Sequence, residues 1–180
     1  MPNNVRANIE LGLNIVIAVA VVVVAGVIIK RYAFQQPVSR DSIQQQPQIT
    51  RGERVNIPNV DWEQNRKSLV FFLQKDCVYC DSIAPFYRQL IEDAGKRNVK
   101  WLAILPNSVE EGRQYIQSLA LPIDNVQTGS LPSYKIPGTP SVLFVDHQGI
   151  VRSVWIGAVP GRENEIRDEL VALFDAGTSN

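Results

Sequence analysis

The most hydrophobic stretch of the chain runs from Leu11 to Ile29 and contains one strongly polar residue, Asn14. As a helix it would span roughly 28 Å at about 1.5 Å per residue, close to the ~30 Å hydrocarbon core of a bilayer. A Lys-Arg pair follows directly, without a small-residue cleavage motif, which favours a retained anchor over a cleaved secretory signal. A buried core helix is disfavoured because the run has no polar face. We therefore predict a single membrane-spanning helix.

Polar residues dominate the next segment, Phe34 to Arg51, which is rich in Gln, Pro and Ser and has no apolar periodicity. Such a composition buries little surface and predicts a flexible linker. The predicted organisation is a tail at 1–10, a transmembrane helix at 11–31, the linker at 32–52 and a compact domain at 53–176.

Within the domain, continuous runs of β-type apolar residues alternate with apolar positions at three- and four-residue spacing, which are typical of buried strands and one-sided helices. The closing pair of strands, joined by Asp-His-Gln-Gly, indicates a hairpin. The predicted strands are 68–74, 99–105, 141–146 and 150–157, and the predicted helices begin near Val78, Ser108 and Gly161. The order β-α-β-α-β-β-α predicts an α/β fold with a mixed sheet, because strand–helix–strand units require parallel crossovers.

Composition narrows the function classes. The 18 Lys and Arg residues balance 18 Asp and Glu residues, so charge gives no reason to expect a nucleic-acid partner. Two cysteines are too few for a disulfide-stapled scaffold. With one histidine, His147, the chain cannot assemble a four-ligand Cys/His zinc site by itself.

The two cysteines, Cys77 and Cys80, lie between the first predicted strand and the helix that follows it. The position of Cys77 at the helix N-terminus favours the thiolate, whereas Cys80 lies one turn later on the buried side. We predict that Cys77 is the nucleophile and Cys80 the resolving cysteine. A purely structural disulfide is the alternative, but closing so short a ring removes little unfolded-state entropy. The pattern therefore favours a redox-active disulfide with no further cofactor.

Two segments carry a family resemblance. CVYCDSIAP resembles the active-site run of thioredoxins, with Pro85 inside the helix, and residues 134–151 resemble the cis-proline segment of that family. The resemblance implies that Pro140 is the cis residue, with Thr139 before it. The apolar run, the linker and the additional segment 106–133 resemble membrane-tethered TlpA/ResA-like thiol–disulfide oxidoreductases. A thioredoxin-like fold, with a central mixed sheet flanked by helices, is implied.

The resemblance also implies a function: a membrane-tethered enzyme that reduces disulfides of extracytoplasmic proteins. Its implied partners are protein thiol or disulfide substrates, a membrane electron donor and the lipid bilayer, contacted through residues 11–29. The domain would lie on the periplasmic side, although more positive charges follow the apolar run than precede it, which by itself weakly favours the cytoplasm. Tyr79, between the cysteines, is expected to border the substrate groove with Thr139 and Pro140.

Two positions depart from the thioredoxin pattern. Phe71 replaces a buried carboxylate, and Asp76 replaces a tryptophan directly before the first cysteine. A carboxylate there should raise the pKa of Cys77, because it opposes the thiolate charge.

Two other functions stay open. A peroxiredoxin-like (AhpC/TSA-type) peroxidase would need Pro and Thr or Ser where the chain has Val70 and Gln74. A non-enzymatic thioredoxin-like module that binds a partner is the second.

Overall fold

The computed structural model describes Val22 and residues 48–176. The strands are β1 (Lys67–Phe72), β2 (Lys100–Leu105), β3 (Val126–Thr128), β4 (Ser141–Asp146) and β5 (Val151–Ile156). The helices are α1 (Trp62–Asn65), α2 (Val78–Gly95), α3 (Val109–Ser118) and α4 (Glu163–Asp175), with a 3₁₀ helix at Leu131–Tyr134.

The five strands form one mixed sheet in the order β3-β2-β1-β4-β5. β1 pairs parallel with β2, with Ser68 opposite Lys100, and antiparallel with β4, with Phe72 opposite Ser141. The parallel half places the carboxyl ends of β1 and β2 at one edge of the sheet. The loop that leaves β1 at that edge ends at Cys77, and Cys80 lies in the first turn of the helix α2 that follows.

Alternate residues of each central strand enter two separate cores, which explains why β1 is a continuous apolar run. Leu69 and Phe71 face the core built with α2, α3 and α4, whereas Val70 and Phe72 face the opposite one. The second core is completed by the segment from Ile49 to Trp62 and by the loop that contains the 3₁₀ helix. The strands that support the cysteine loop are therefore buried on both faces.

The predicted order of strands and helices is confirmed in the described part of the chain. Three elements were not given residue ranges from the sequence: α1, β3 and the 3₁₀ helix. β3 has only three residues, and a periodicity of two cannot be recognised over so short a run. The terminal helix begins at Glu163 rather than at Gly161, which adopts a left-handed φ of 82°.

The end of the predicted linker differs from expectation. Ile49 is 4% exposed, and its amide donates to the Lys135 carbonyl oxygen over 2.9 Å. The Gly52 amide donates to the Val151 carbonyl oxygen over 2.8 Å. The packed domain therefore starts before residue 53, because Ile49 is buried and the backbone of residues 49 and 52 is hydrogen-bonded to the domain.

The apolar run 11–29, predicted as a membrane span, lies outside the described residues apart from Val22. Among the residues that are described, we find no helix with the length and hydrophobicity needed to cross a membrane.

Candidate active site

Cys77 and Cys80 form a disulfide at the start of α2, with Cα atoms 5.2 Å apart. Cys77 is the N-cap of the helix, with extended backbone angles of φ −98° and ψ 101°. Its carbonyl oxygen accepts from the amides of Cys80 and Asp81 over 2.9 and 3.1 Å. Cys80 is fully buried, whereas Cys77 is partly exposed. Of the two sulfurs, therefore, only that of Cys77 can come into contact with a second protein.

Polar groups surround the sulfur of Cys77. The Cys80 amide donates to it over 3.2 Å, and the Thr139 hydroxyl donates to it over 3.5 Å. The Thr139 carbonyl oxygen lies 3.7 Å from the same sulfur. Donors at these positions favour negative charge on the sulfur, and the free amides of the first helical turn add to that effect.

The Thr139–Pro140 peptide bond is cis, as the sequence resemblance implies. Pro140 is buried, and its carbonyl oxygen accepts from the Gly157 amide over 2.7 Å. This hydrogen bond joins the loop before β4 to Gly157, the residue that directly follows β5. The structure thus brings Cys77 together with Thr139 and Pro140, two predicted site residues that lie more than 60 positions later in the sequence.

The two residues between the cysteines project from the protein. Val78 is 76% exposed and Tyr79 is 67% exposed, although both are large and apolar in body. The Tyr79 carbonyl oxygen accepts from the Ser82 hydroxyl over 2.9 Å, which fixes the backbone beneath them. The predicted place of Tyr79 at the border of a substrate groove stays a prediction.

A groove of about 640 Å³ runs along α2 on the side of α3. Its wall next to the cysteines contains Lys75, Asp76 and Asp81. Asp76 adopts a left-handed φ of 62°, a conformation that Asp and Asn tolerate better than most residues. The predicted influence of Asp76 on the pKa of Cys77 stays a prediction.

Sequence reasoning missed one polar contact of this groove. The Tyr115 hydroxyl, on α3, donates to Oδ1 of Asp81 over 2.8 Å. Burial, above all, raises the pKa of Tyr115, followed by the hydrogen bond that its hydroxyl donates to Asp81 and by the charges of Asp81 and Asp76. The two residues lie 34 positions apart. No periodicity in either segment indicates that they meet.

Phe71 occupies the position where thioredoxins have a buried carboxylate, and it is fully buried. Its ring lies edge-on to that of Tyr87 with centroids 4.9 Å apart. Burial raises the pKa of Tyr87 well above its ordinary value, so its phenol stays neutral. Phe71 has no group that accepts a proton, so proton transfer from Cys80 must use another group or water.

His147, Trp101 and Glu111 lie in a turn, a strand and a helix start, outside the surroundings of the disulfide described above. His147 is exposed in the β4–β5 turn, and the Trp101 indole donates to the Pro122 carbonyl oxygen over 2.7 Å. Glu111 forms a capping box with Ser108 at the start of α3. Over the described ranges, no group of three or more His, Cys, Asp or Glu side chains is arranged to hold a metal ion.

Comparisons with known proteins identify the fold. The sequence profile of the AhpC/TSA family matches residues 42–154. No curated protein matches the chain. A structure from Chlorobium tepidum, described as a thiol:disulfide interchange protein DsbE, superposes with a TM-score of 0.58 at 13% identity, covering 70% of this chain and 99% of its own.

Two Bacteroides structures are similar in the same way. A thiol:disulfide interchange protein from Bacteroides sp. has a TM-score of 0.57 at 16% identity, covering 73% of this chain and 94% of its own. The thioredoxin domain of a thiol-disulfide oxidoreductase from Bacteroides vulgatus has a TM-score of 0.53 at 17% identity, covering 68% of this chain and 99% of its own. At these identities the likeness concerns the fold, and the predicted thioredoxin-like α/β fold is confirmed.

Proposed function

The chain belongs to the AhpC/TSA family, and we propose that it works as a protein-disulfide oxidoreductase through a dithiol–disulfide cycle of Cys77 and Cys80. The observation that carries this proposal is the asymmetry of the pair. One sulfur is accessible at a helix N-terminus, and its partner is bonded to it and fully buried. The similar structures described as thiol:disulfide interchange proteins support the same reaction class.

In the reducing direction, the Cys77 thiolate attacks one sulfur of a substrate disulfide. The substrate S–S bond breaks, a mixed disulfide forms, and the other substrate sulfur leaves and takes up a proton. Cys80 then loses its proton and attacks the Cys77 sulfur, so that the internal disulfide forms and the second substrate thiol leaves. Two electrons have passed to the substrate, and a dithiol donor restores the reduced pair.

The loop before β4 is suited to hold the substrate during this exchange. Thr139 directly precedes cis-Pro140 and lies against the Cys77 sulfur. An extended substrate chain that pairs with its backbone, as an added strand, would place its cysteine at that sulfur. The exposed side chains of Val78 and Tyr79, between the two cysteines, would offer the substrate apolar contact.

Turnover of a protein disulfide tests the activity. Purified full-length protein should accelerate the reduction of insulin disulfides by dithiothreitol, and Cys77→Ser should abolish the acceleration. Tyr134→Phe, which changes a half-buried phenol in the opposite core, is the control and should retain the full rate. If the wild-type protein gives no more reduction than dithiothreitol alone, the proposed activity is wrong.

We further propose that the physiological direction is reduction. Asp76 and Asp81 line one groove beside the N-terminus of α2, and both charges act on Tyr115. Negative charge near Cys77 disfavours its thiolate and so makes the disulfide less oxidising. Equilibration with glutathione should give a reduction potential nearer that of thioredoxin, about −270 mV, than that of DsbA, about −120 mV. A potential near the upper value would indicate an oxidase.

Membrane tethering and an extracytoplasmic domain form the third part of the proposal. The hydrophobic run 11–29 supports the tether, and substrates with disulfides are found mainly outside the cytoplasm. The electron donor would then be a membrane protein. Alkaline phosphatase fused after Asn180 should be active in a bacterial host, whereas a cytoplasmic reporter at the same site should not. The reverse pattern would place the domain in the cytoplasm.

The family match favours one second candidate, a thiol peroxidase, because the family description is AhpC/TSA. Against it, the positions that would activate peroxide are occupied by Val70, buried in β1, and by Gln74, exposed after β1. Hydrogen peroxide consumption at a rate above that of insulin reduction would favour this candidate. Partner binding without turnover, the third function considered from the sequence, would leave both assays at background.

A further inference from the structure

We infer that Tyr115 is a positioning residue for the disulfide exchange: it holds the Asp81 carboxylate beside the first turn of α2, where that charge opposes ionisation of Cys77. The inference rests on the proposed function, because it concerns the reactivity of the same sulfur. It gives the additional helix α3 a role in setting that reactivity.

The contact is well defined. The Tyr115 hydroxyl donates to Oδ1 of Asp81 over 2.8 Å, and the tyrosine is 9% exposed. A buried ring has little freedom to move, so its hydroxyl fixes the carboxylate, which is otherwise on an exposed surface. Asp81 in turn lies one helical turn after Cys77, and its amide donates to the Cys77 carbonyl oxygen over 3.1 Å.

Two opposing fields therefore act on the Cys77 sulfur. The N-terminus of α2 and the donors from Cys80 and Thr139 stabilise a thiolate. A carboxylate fixed one turn away destabilises it, and a charge held in place by a hydrogen bond acts more strongly than one that rotates into solvent. Releasing Asp81 from Tyr115 should therefore make Cys77 more acidic.

Other charges line the same groove, namely Lys75, Asp76, Arg88 and Glu111. Arg88 donates to the Leu119 carbonyl oxygen over 2.7 Å, away from the cysteines. Glu111 is engaged by Ser108, and this hydrogen bond lowers its pKa. Lys75 and Asp76 precede Cys77 directly, with opposite signs. Asp81 is thus the groove carboxylate of α2 that is held by a hydrogen bond from α3.

The test measures the rate at which iodoacetamide alkylates Cys77 as a function of pH. Full-length protein with Cys80→Ser provides a single thiol. Asp81→Asn removes the charge but keeps an acceptor for Tyr115, and it should increase the acid dissociation constant of Cys77 about threefold to tenfold. Tyr115→Phe should increase it by about twofold to threefold, and Tyr115→Phe combined with Asp81→Asn should match Asp81→Asn alone.

Glu110→Gln is the matched control. It also removes one negative charge, but from a residue of α3 that does not line the groove, and it should leave the acid dissociation constant of Cys77 unchanged. No change with Asp81→Asn, or a Tyr115→Phe effect that persists in the Asp81→Asn background, would overturn the inference. An increase in the acid dissociation constant with Asp81→Asn but not with Tyr115→Phe would also overturn the inference. Alkylation does not require turnover, so failure of the proposed enzymatic activity would be seen separately, in the insulin assay.

Discussion

At the scale of single residues, the reactive centre depends on a few polar atoms around one sulfur. Cys77 accepts hydrogen bonds from the Cys80 amide and the Thr139 hydroxyl, and carboxylates of Asp76 and Asp81 lie along the adjacent groove. The donors favour the thiolate and the carboxylates oppose it. The balance between them determines how acidic the nucleophile is.

Asp76→Asn tests the contribution of the carboxylate that was predicted from the sequence. Asparagine tolerates the left-handed φ of 62° as well as aspartate does, so the backbone should be unchanged. The loss of charge should lower the pKa of Cys77 and increase its alkylation rate at pH 7 about threefold. Asp124→Asn, near the C-terminal end of α2, is the control. An unchanged or slower rate would show that the Asp76 carboxylate does not influence the sulfur.

At the scale of elements, an ion pair connects the helix that follows Cys77 to the terminal helix. Nε of Arg167, on α4, donates to Asp93, on α2, over 2.7 Å, and the aspartate is 8% exposed. The hydrogen bond from Arg167, more than any other interaction, holds the pKa of Asp93 below its usual value. The neighbouring pair of Lys96 and Glu92 is exposed.

Asp93→Asn should lower the melting temperature at pH 7 by about 2–4 °C. Because the folded-state pKa is depressed, the stabilisation is complete above the unfolded-state pKa near 3.8 and is lost as pH falls through the lower folded-state value. The difference between variant and wild type should therefore be constant from pH 7 to about pH 5 and should shrink below pH 4. Glu92→Gln, from the exposed pair, should change the melting temperature little.

The order of elements could be predicted from the sequence because strand and helix periodicities are local. The accessible position of Cys77 and the buried position of Cys80 could also be predicted, since they follow from the turn between β1 and α2. Their roles as nucleophile and resolving cysteine stay predictions. Cis-Pro140 required a family resemblance, because most Xaa-Pro bonds are trans. The contact between Tyr115 and Asp81 could not be predicted, since it depends on how α3 packs against α2.

At the scale of the whole molecule, a redox domain over 48–176 follows a hydrophobic run that the sequence predicts as an anchor. The proposed tether would restrict the domain to substrates near one membrane surface. The burial of Ile49 shortens the predicted linker from its domain end. The proposed orientation, with the domain outside the cytoplasm, rests on chemistry rather than on flanking charge, so the fusion experiment decides it.

The most direct test of the central claim, that Cys77 exchanges disulfides with other proteins while Cys80 resolves, is the trapping of mixed disulfides. Full-length Cys80→Ser and Cys77→Ser variants are reduced, mixed with insulin, quenched with acid and separated without reductant. Cys80→Ser should accumulate a covalent insulin adduct, because no resolving thiol releases it. Cys77→Ser should accumulate almost none, because Cys80 is fully buried. Equal trapping by the two variants, or more by Cys77→Ser, would contradict the account.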